Sequence, residues 1–182
     1  MNNSAYLIDV LRGFHNYKAL GDAAMAQVPA DADFDRMLDG DSNSIAMIVQ
    51  HIAGNFRSRY RDFLTTDGEK PTRNRDTEFE MPARASRAEI LTWWSDGFRV
   101  VSDAIGALAP ADLERVVRIR GEEFLVVEAI NRSATHTAYH VGQIVYVARH
   151  LASGQWTSLS IPKGKSQQAM VGDFKSRGLA RT

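Results

Sequence analysis

The chain has 182 residues, 44% hydrophobic and 24% charged, the proportions of a globular domain long enough to bury a core without covalent staples. Its 22 basic and 22 acidic residues cancel, so no global field favours nucleic acid or an anionic lipid surface. Cysteine is absent, which excludes disulfides, thiolate metal sites, iron–sulfur clusters and cysteine nucleophiles, so any metal must use nitrogen and oxygen ligands.

Leu7, Val10, Leu11, Phe14, Tyr17, Ala24 and Val28 recur at helical spacing and predict a first helix over residues 4–27, stopped by Pro29. Asp9 and Arg12 interrupt its apolar run, so it does not read as a signal peptide. No apolar stretch approaches the roughly 20 residues of a membrane helix. The expectation is a cytoplasmic protein that neither spans a membrane nor binds nucleic acid. Residues 30–43, rich in Asp, read as a loop with one short turn near Phe34.

A second helix is expected over residues 44–64, with Ile45, Ile48, Val49, Ile52, Phe56, Tyr60 and Phe63 as its apolar stripe and a basic outer face. Residues 65–85 hold Gly68, Pro71, Pro82 and a polar run, and read as a long crossover loop. Ser86 and Glu89 form a capping-box pattern that opens a third helix, which carries Ile90, Trp94, Phe98, Val101, Ile105 and Leu108 inward before Pro110. Between residues 115 and 127, Val117, Ile119, Phe124 and Val126 flank Arg120 and Gly121, the pattern of a short β-hairpin. A fourth helix follows over residues 127–152 and ends at Gly154. The expected division is a helical bundle over 1–154 and a tail over 155–182, packed in part through Trp156 and Leu159 and disordered toward its end.

His136 and His140 lie four residues apart on the fourth helix, so their imidazoles stack on one face and can grip one ion. His51, at the border of the second helix's apolar stripe, is the candidate third ligand. Three neutral imidazoles make an open nitrogen site suited to zinc, nickel, iron or copper. The competing reading makes each histidine an ordinary imidazole with a hydrogen-bond partner, and His15 and His150 keep that reading. Asn55 and Gln143, about one turn from His51 and His140, are candidates for orienting a ligand or touching substrate. No carboxylate one turn from a triad histidine on its own helix suggests a general base. Glu128 and Arg132 read as a surface ion pair. Arg57, Arg59, Arg61, Arg73 and Arg75 either converge on an anionic substrate or, as a solvated face, pair with Asp62, Asp67 and Asp76.

The strings HIAGN from His51 to Asn55 and HTAYHVGQ from His136 to Gln143 resemble the metal-binding pattern of the DinB/YfiT-like superfamily. Ser44-Ile45, FLTTDGEKP from Phe63 to Pro71 and LSIPKGKS from Leu159 to Ser166 resemble a branch of it described only as a domain of unknown function. The resemblance implies an all-α four-helix bundle with a long crossover, one divalent ion (zinc, nickel or iron) on His51, His136 and His140, and a homodimer. Named members of the superfamily are transferases or isomerases using small thiols, and a few look like metal-dependent hydrolases. The leading expectation is a metal-dependent enzyme such as a small-thiol-dependent transferase, acting on a small molecule, with any thiol supplied as a cosubstrate. The alternatives are a hydrolase using metal-activated water and a non-catalytic, metal-stabilised bundle that binds a partner.

Overall fold

The apolar stripes of the sequence can be buried together only if the helices pack face to face, and the computed structural model, which describes residues 5–80 and 85–168, shows how they do so. Helices α1 (Ala5–Met25), α2 (Ile45–Tyr60), α3 (Arg87–Gly106) and α4 (Val126–Leu151) form an all-α bundle, with a hairpin of β1 (Val116–Ile119) and β2 (Glu122–Leu125) leading into α4. Each helix has two principal neighbours: α2 packs on α3 and α4, and α1 packs on α4 and α3. Helices α1 and α2 therefore face each other across the core, as do α3 and α4. The adjacency of α2 and α4 is what allows His51 to meet His136 and His140.

Aromatic rings fill the centre. The Phe14 ring of α1 meets Phe56 of α2 at 5.9 Å, Phe56 meets Phe98 of α3 at 5.0 Å, and Phe98 meets Trp94 at 4.5 Å, all in edge-to-face geometry. The Trp94 indole N–H is not stranded by this burial, because it donates to Asp22 Oδ1 at 2.8 Å. Small residues set the helix spacing. A side chain at Gly97 would crowd Ala53 at 3.0 Å from its Cα, and one at Gly21 would run into the Trp94 ring.

Helix ends follow local chemistry. Ser44 caps α2 by accepting from the Met47 N–H at 3.2 Å, and Ser86 with Glu89 closes the expected capping box on α3. Arg87 reaches the Met25 and Val28 carbonyls at the end of α1, at 2.9 and 3.2 Å, and lies over the ring of Phe34, which is buried in the short 3-10 turn Asp31–Asp35. The hairpin turns through Arg120 and Gly121 with φ of 57° and 79°, the two positive values of a tight two-residue turn. Beyond α4, the Gln27 amide bonds both backbone groups of Thr157, and Trp156 and Leu159 are half-buried against the core. The expected disorder at the end of the tail falls on residues 169–182, outside the described residues.

Two expectations are corrected. The second helix does not reach Leu64: it ends at Tyr60, and Asp62, at φ 52°, turns the chain back along α2, where Ser58 Oγ donates to the Gly68 carbonyl at 2.7 Å. Phe63 still packs on Tyr60, at 5.0 Å between rings, so the apolar period outlasted the helix that it was used to predict. Glu128 and Arg132 form no ion pair. Glu128 instead turns back to accept from the Leu125 N–H at 2.7 Å, satisfying an orphan donor at the start of α4.

Gly21→Ala should destabilise the protein by about 1–3 kcal/mol, because Trp94 is locked by Phe98 and Asp22 and cannot make room. Gly13→Ala, in the same helix with nothing within 4 Å of the added carbon, should be stabilising by up to about 1 kcal/mol. Urea denaturation midpoints of the two variants, shifted in opposite directions, would check the account.

Candidate metal centre

His51 enters the seam between α2 and α4 from the middle of α2, and His136 and His140 enter it from successive turns of α4. His51 and His140 are buried, and His136 is half-buried. One ligand-capable nitrogen from each lies within 4.8 Å of those of the other two. The Nε2 atoms of His51 and His136 are 3.2 Å apart. Two nitrogens bound to one ion at about 2.0–2.1 Å stand roughly 3.0–3.4 Å from each other, so this pair already has the spacing of two ligands on one centre. Residue types and geometry both fit a divalent ion.

In two of the three histidines the ring nitrogen that points away from the cluster has an acceptor. His51 Nδ1 lies 2.8 Å from Glu78 Oε2, and His140 Nδ1 lies 2.7 Å from Gln143 Oε1, whose amide nitrogen donates to the Tyr139 hydroxyl at 3.1 Å. An acceptor on Nδ1 fixes the proton there and leaves the Nε2 lone pair directed inward. Burial, reinforced by the neighbouring imidazoles, lowers His136 to about 3; burial likewise lowers His140 to about 4, against an opposing bond from Gln143. Both rings are neutral at pH 7, the form in which imidazole binds a metal.

Glu78 is the residue that the sequence did not bring forward. It lies 27 residues from His51, in the 3-10 turn Asp76–Glu78 of the crossover, and is only 7% exposed. Burial alone would raise its carboxyl. Arg73, through a two-pronged contact at 2.8 Å on each oxygen, and His51 outweigh burial and hold it below the usual carboxylate value. The one signal available was Gly54, an interior helix glycine three residues after His51: a side chain there would collide with Glu78 Oε1.

The remaining candidates divide. Asn55 is buried on α2 and, among the described residues, makes no hydrogen bond to the triad. Arg59 and Arg73 do not pair with the expected aspartates, since both meet Glu69, and Arg73 also meets Glu78. Arg75 alone keeps an expected partner, Asp76 at 3.7 Å, and its guanidinium lies over the Phe79 ring. Arg57 and Arg61 line a cleft of about 520 Å³ between α2 and the crossover, bounded by Gly54, Lys70, Arg73 and Glu78 rather than by the histidines. Arg57, Arg61 and Arg73 thus lie behind Glu78, whereas Arg75 stands beside the triad, over the Phe79 ring that packs on His51 at 4.6 Å. His15 meets Ser102 Oγ at 3.3 Å and His150 is exposed, so neither joins the cluster.

A family model described as a protein of unknown function (DUF1572) matches residues 2–165. No curated protein and no solved structure matches the chain.

Because His136 and His140 titrate below the ordinary 6.5 in the fold, the unfolded chain takes up protons first. Their contribution should be complete above about pH 6.5 and should fall away as the pH drops toward 4 and then 3. Urea midpoints of metal-free protein measured between pH 7 and 4.5 should decline, and His136→Gln should flatten that decline. An equally steep decline in the variant would assign the acid sensitivity elsewhere.

Proposed function

The chain belongs to the DUF1572 family, and from its histidine cluster we propose a divalent-metal protein whose triad leaves coordination positions open for catalysis on a small molecule. One observation carries this reading: three imidazole nitrogens converge within 4.8 Å, and among the described residues no carboxylate joins that cluster. Three protein ligands are the usual number at a catalytic site, whereas structural sites are closed by four. His51, His136 and His140 would hold the ion. Bound there, it would supply Lewis acidity, the property that makes a small thiol or a water nucleophilic at neutral pH.

The chain's own residues prepare the site for that role. Gln143 orients His140 through Nδ1, and burial keeps His136 and His140 neutral and free to bind. Half-buried His136 is the side of the cluster nearest to solvent, and so the approach for a substrate atom. The reaction class that we favour is transfer to a small thiol. The chain has no cysteine, so the sulfur would arrive as a cosubstrate. A single histidine from α2 with an i, i+4 pair on α4 supports placing the chain in the DinB/YfiT-like superfamily.

Protein purified without a histidine tag should carry one zinc, nickel or iron per chain by elemental analysis. His140→Ala should lower metal affinity by more than about 100-fold, since even a partner that merely orients a ligand is worth about 10–100-fold. Its helical circular dichroism should persist, because the hydrophobic stripes rather than the ion hold the helices together. In cobalt-substituted protein, a small thiol should shift the visible absorption by entering an open position. Absence of metal from the wild-type chain would sink the proposal. A metal-loaded protein whose spectrum ignores both thiols and hydroxamates would indicate a closed, structural site.

A further inference from the structure

Among the described residues the crossover loop supplies no ligand atom to the imidazole cluster, yet it is fastened to the back of it. Lys70 N–H donates to Ser58 Oγ at 3.0 Å, and Gln50 Nε2 donates to the Thr77 carbonyl at 3.0 Å, so α2 holds the loop at two levels. At the far end, Asp67 accepts from the backbone N–H groups of Arg120 and Gly121 at 2.9 and 2.7 Å, which ties the loop to the hairpin turn. Between these anchors runs a ladder of alternating charge. Arg59 and Arg120 meet Glu69 at 3.3 and 3.1 Å, Glu69 meets Arg73 at 3.4 Å, and Arg73 grips Glu78, which ends on His51. The last step is buried, with Arg73 and Glu78 side chains 6% and 9% exposed.

We infer that Glu78 and Arg73 are positioning residues of the metal site, and that docking of the crossover loop and binding of the ion are one coupled equilibrium. This rests on the metal-binding reading above. An imidazole that gives its Nε2 lone pair to a cation becomes a stronger N–H donor at Nδ1, so the ion tightens the bond to Glu78 and with it the loop. Coupling of this kind is reciprocal: the docked loop holds His51 in the tautomer and orientation that the ion needs, and so raises metal affinity by the same factor. Arg73 is required because a carboxylate buried this deeply needs a second partner to stay ionised. Gly54 is required because any side chain would fill the space that Glu78 occupies.

Competition with a chromophoric chelator would give the zinc affinity of wild type, Glu78→Gln and Arg73→Lys. Glu78→Gln should lose about 10–100-fold, the range for partners that orient metal-bound histidines. Arg73→Lys keeps the charge without the planar fork and should lose less. Arg118→Ala, which removes an exposed pair with Glu123 on the same hairpin, should leave affinity unchanged and serves as the control for general loosening. The visible spectrum of the cobalt protein should change in Glu78→Gln and not in Arg118→Ala, a difference that mere loss of stability would not produce. In wild type, zinc should slow hydrogen exchange at the Gly68 and Lys70 amides, and in Glu78→Gln that protection should vanish. Wild-type affinity and spectrum in Glu78→Gln would overturn the inference while leaving the metal site standing. Failure of the wild-type chain to bind any ion would overturn both.

Discussion

A carboxylate sealed between a helix and a loop must be neutralised where it lies, and this constraint on Glu78 organises the functional end of the bundle. Removing one member of a buried ion pair typically costs about 3–5 kcal/mol, because the other is left charged and dry. Glu78 therefore demands Arg73 on one side and the Nδ1–H of His51 on the other, and each contact is made at 2.8 Å. The orientation of His51 follows from that demand. Its second nitrogen can then only face α4, where the two histidines of that helix stand.

The bundle supplies the frame in which such a constraint can be met. Edge-to-face rings from α1, α2 and α3 fill the centre, and glycines at the contacts of α1 with Trp94 and of α3 with Ala53 let the helices close without strain. Apart from the cap Ser44, the buried polar and charged residues among those described, His51, Asn55, Ser58, Arg59, Glu78, Ser133, Thr137 and His140, lie on α2, α4 and the crossover. A protein with ordinary composition thus places most of its buried polar residues in one region, as expected where chemistry rather than packing sets the residue type.

Net charge conceals the same local organisation. The 22 basic and 22 acidic residues cancel across the chain, yet along the crossover they are arranged in strict alternation from Arg120 through Glu69 and Arg73 to Glu78. Alternation sets Glu69 among Arg59, Arg73 and Arg120 and Glu78 between Arg73 and the Nδ1–H of His51, so the ladder can be partly buried without an unpaired charge. Arg57 and Arg61 stand outside it and line the neighbouring cleft.

The sequence by itself determined the four helices, the hairpin turn, the capping box at Ser86 and the histidine pair on α4, because each depends on spacing within one segment and on local backbone chemistry. It also brought His51 forward, since a histidine at the edge of an apolar stripe must face either the core or a partner. It placed the end of α2 four residues too late, because Phe63 continues the apolar period while packing on Tyr60 from outside the helix. It set Glu128 against Arg132, where the cheaper bond was to the backbone of Leu125. Only the tertiary structure decided which helices are neighbours, and so that three histidines from two helices converge. It alone brought in Glu78, 27 residues from its imidazole and in no helical register with it. The physical reason is that a loop's contacts are set by where its ends are fastened, here by Ser58, Asp67 and Gln50, and nothing in the spacing of a polar run records that.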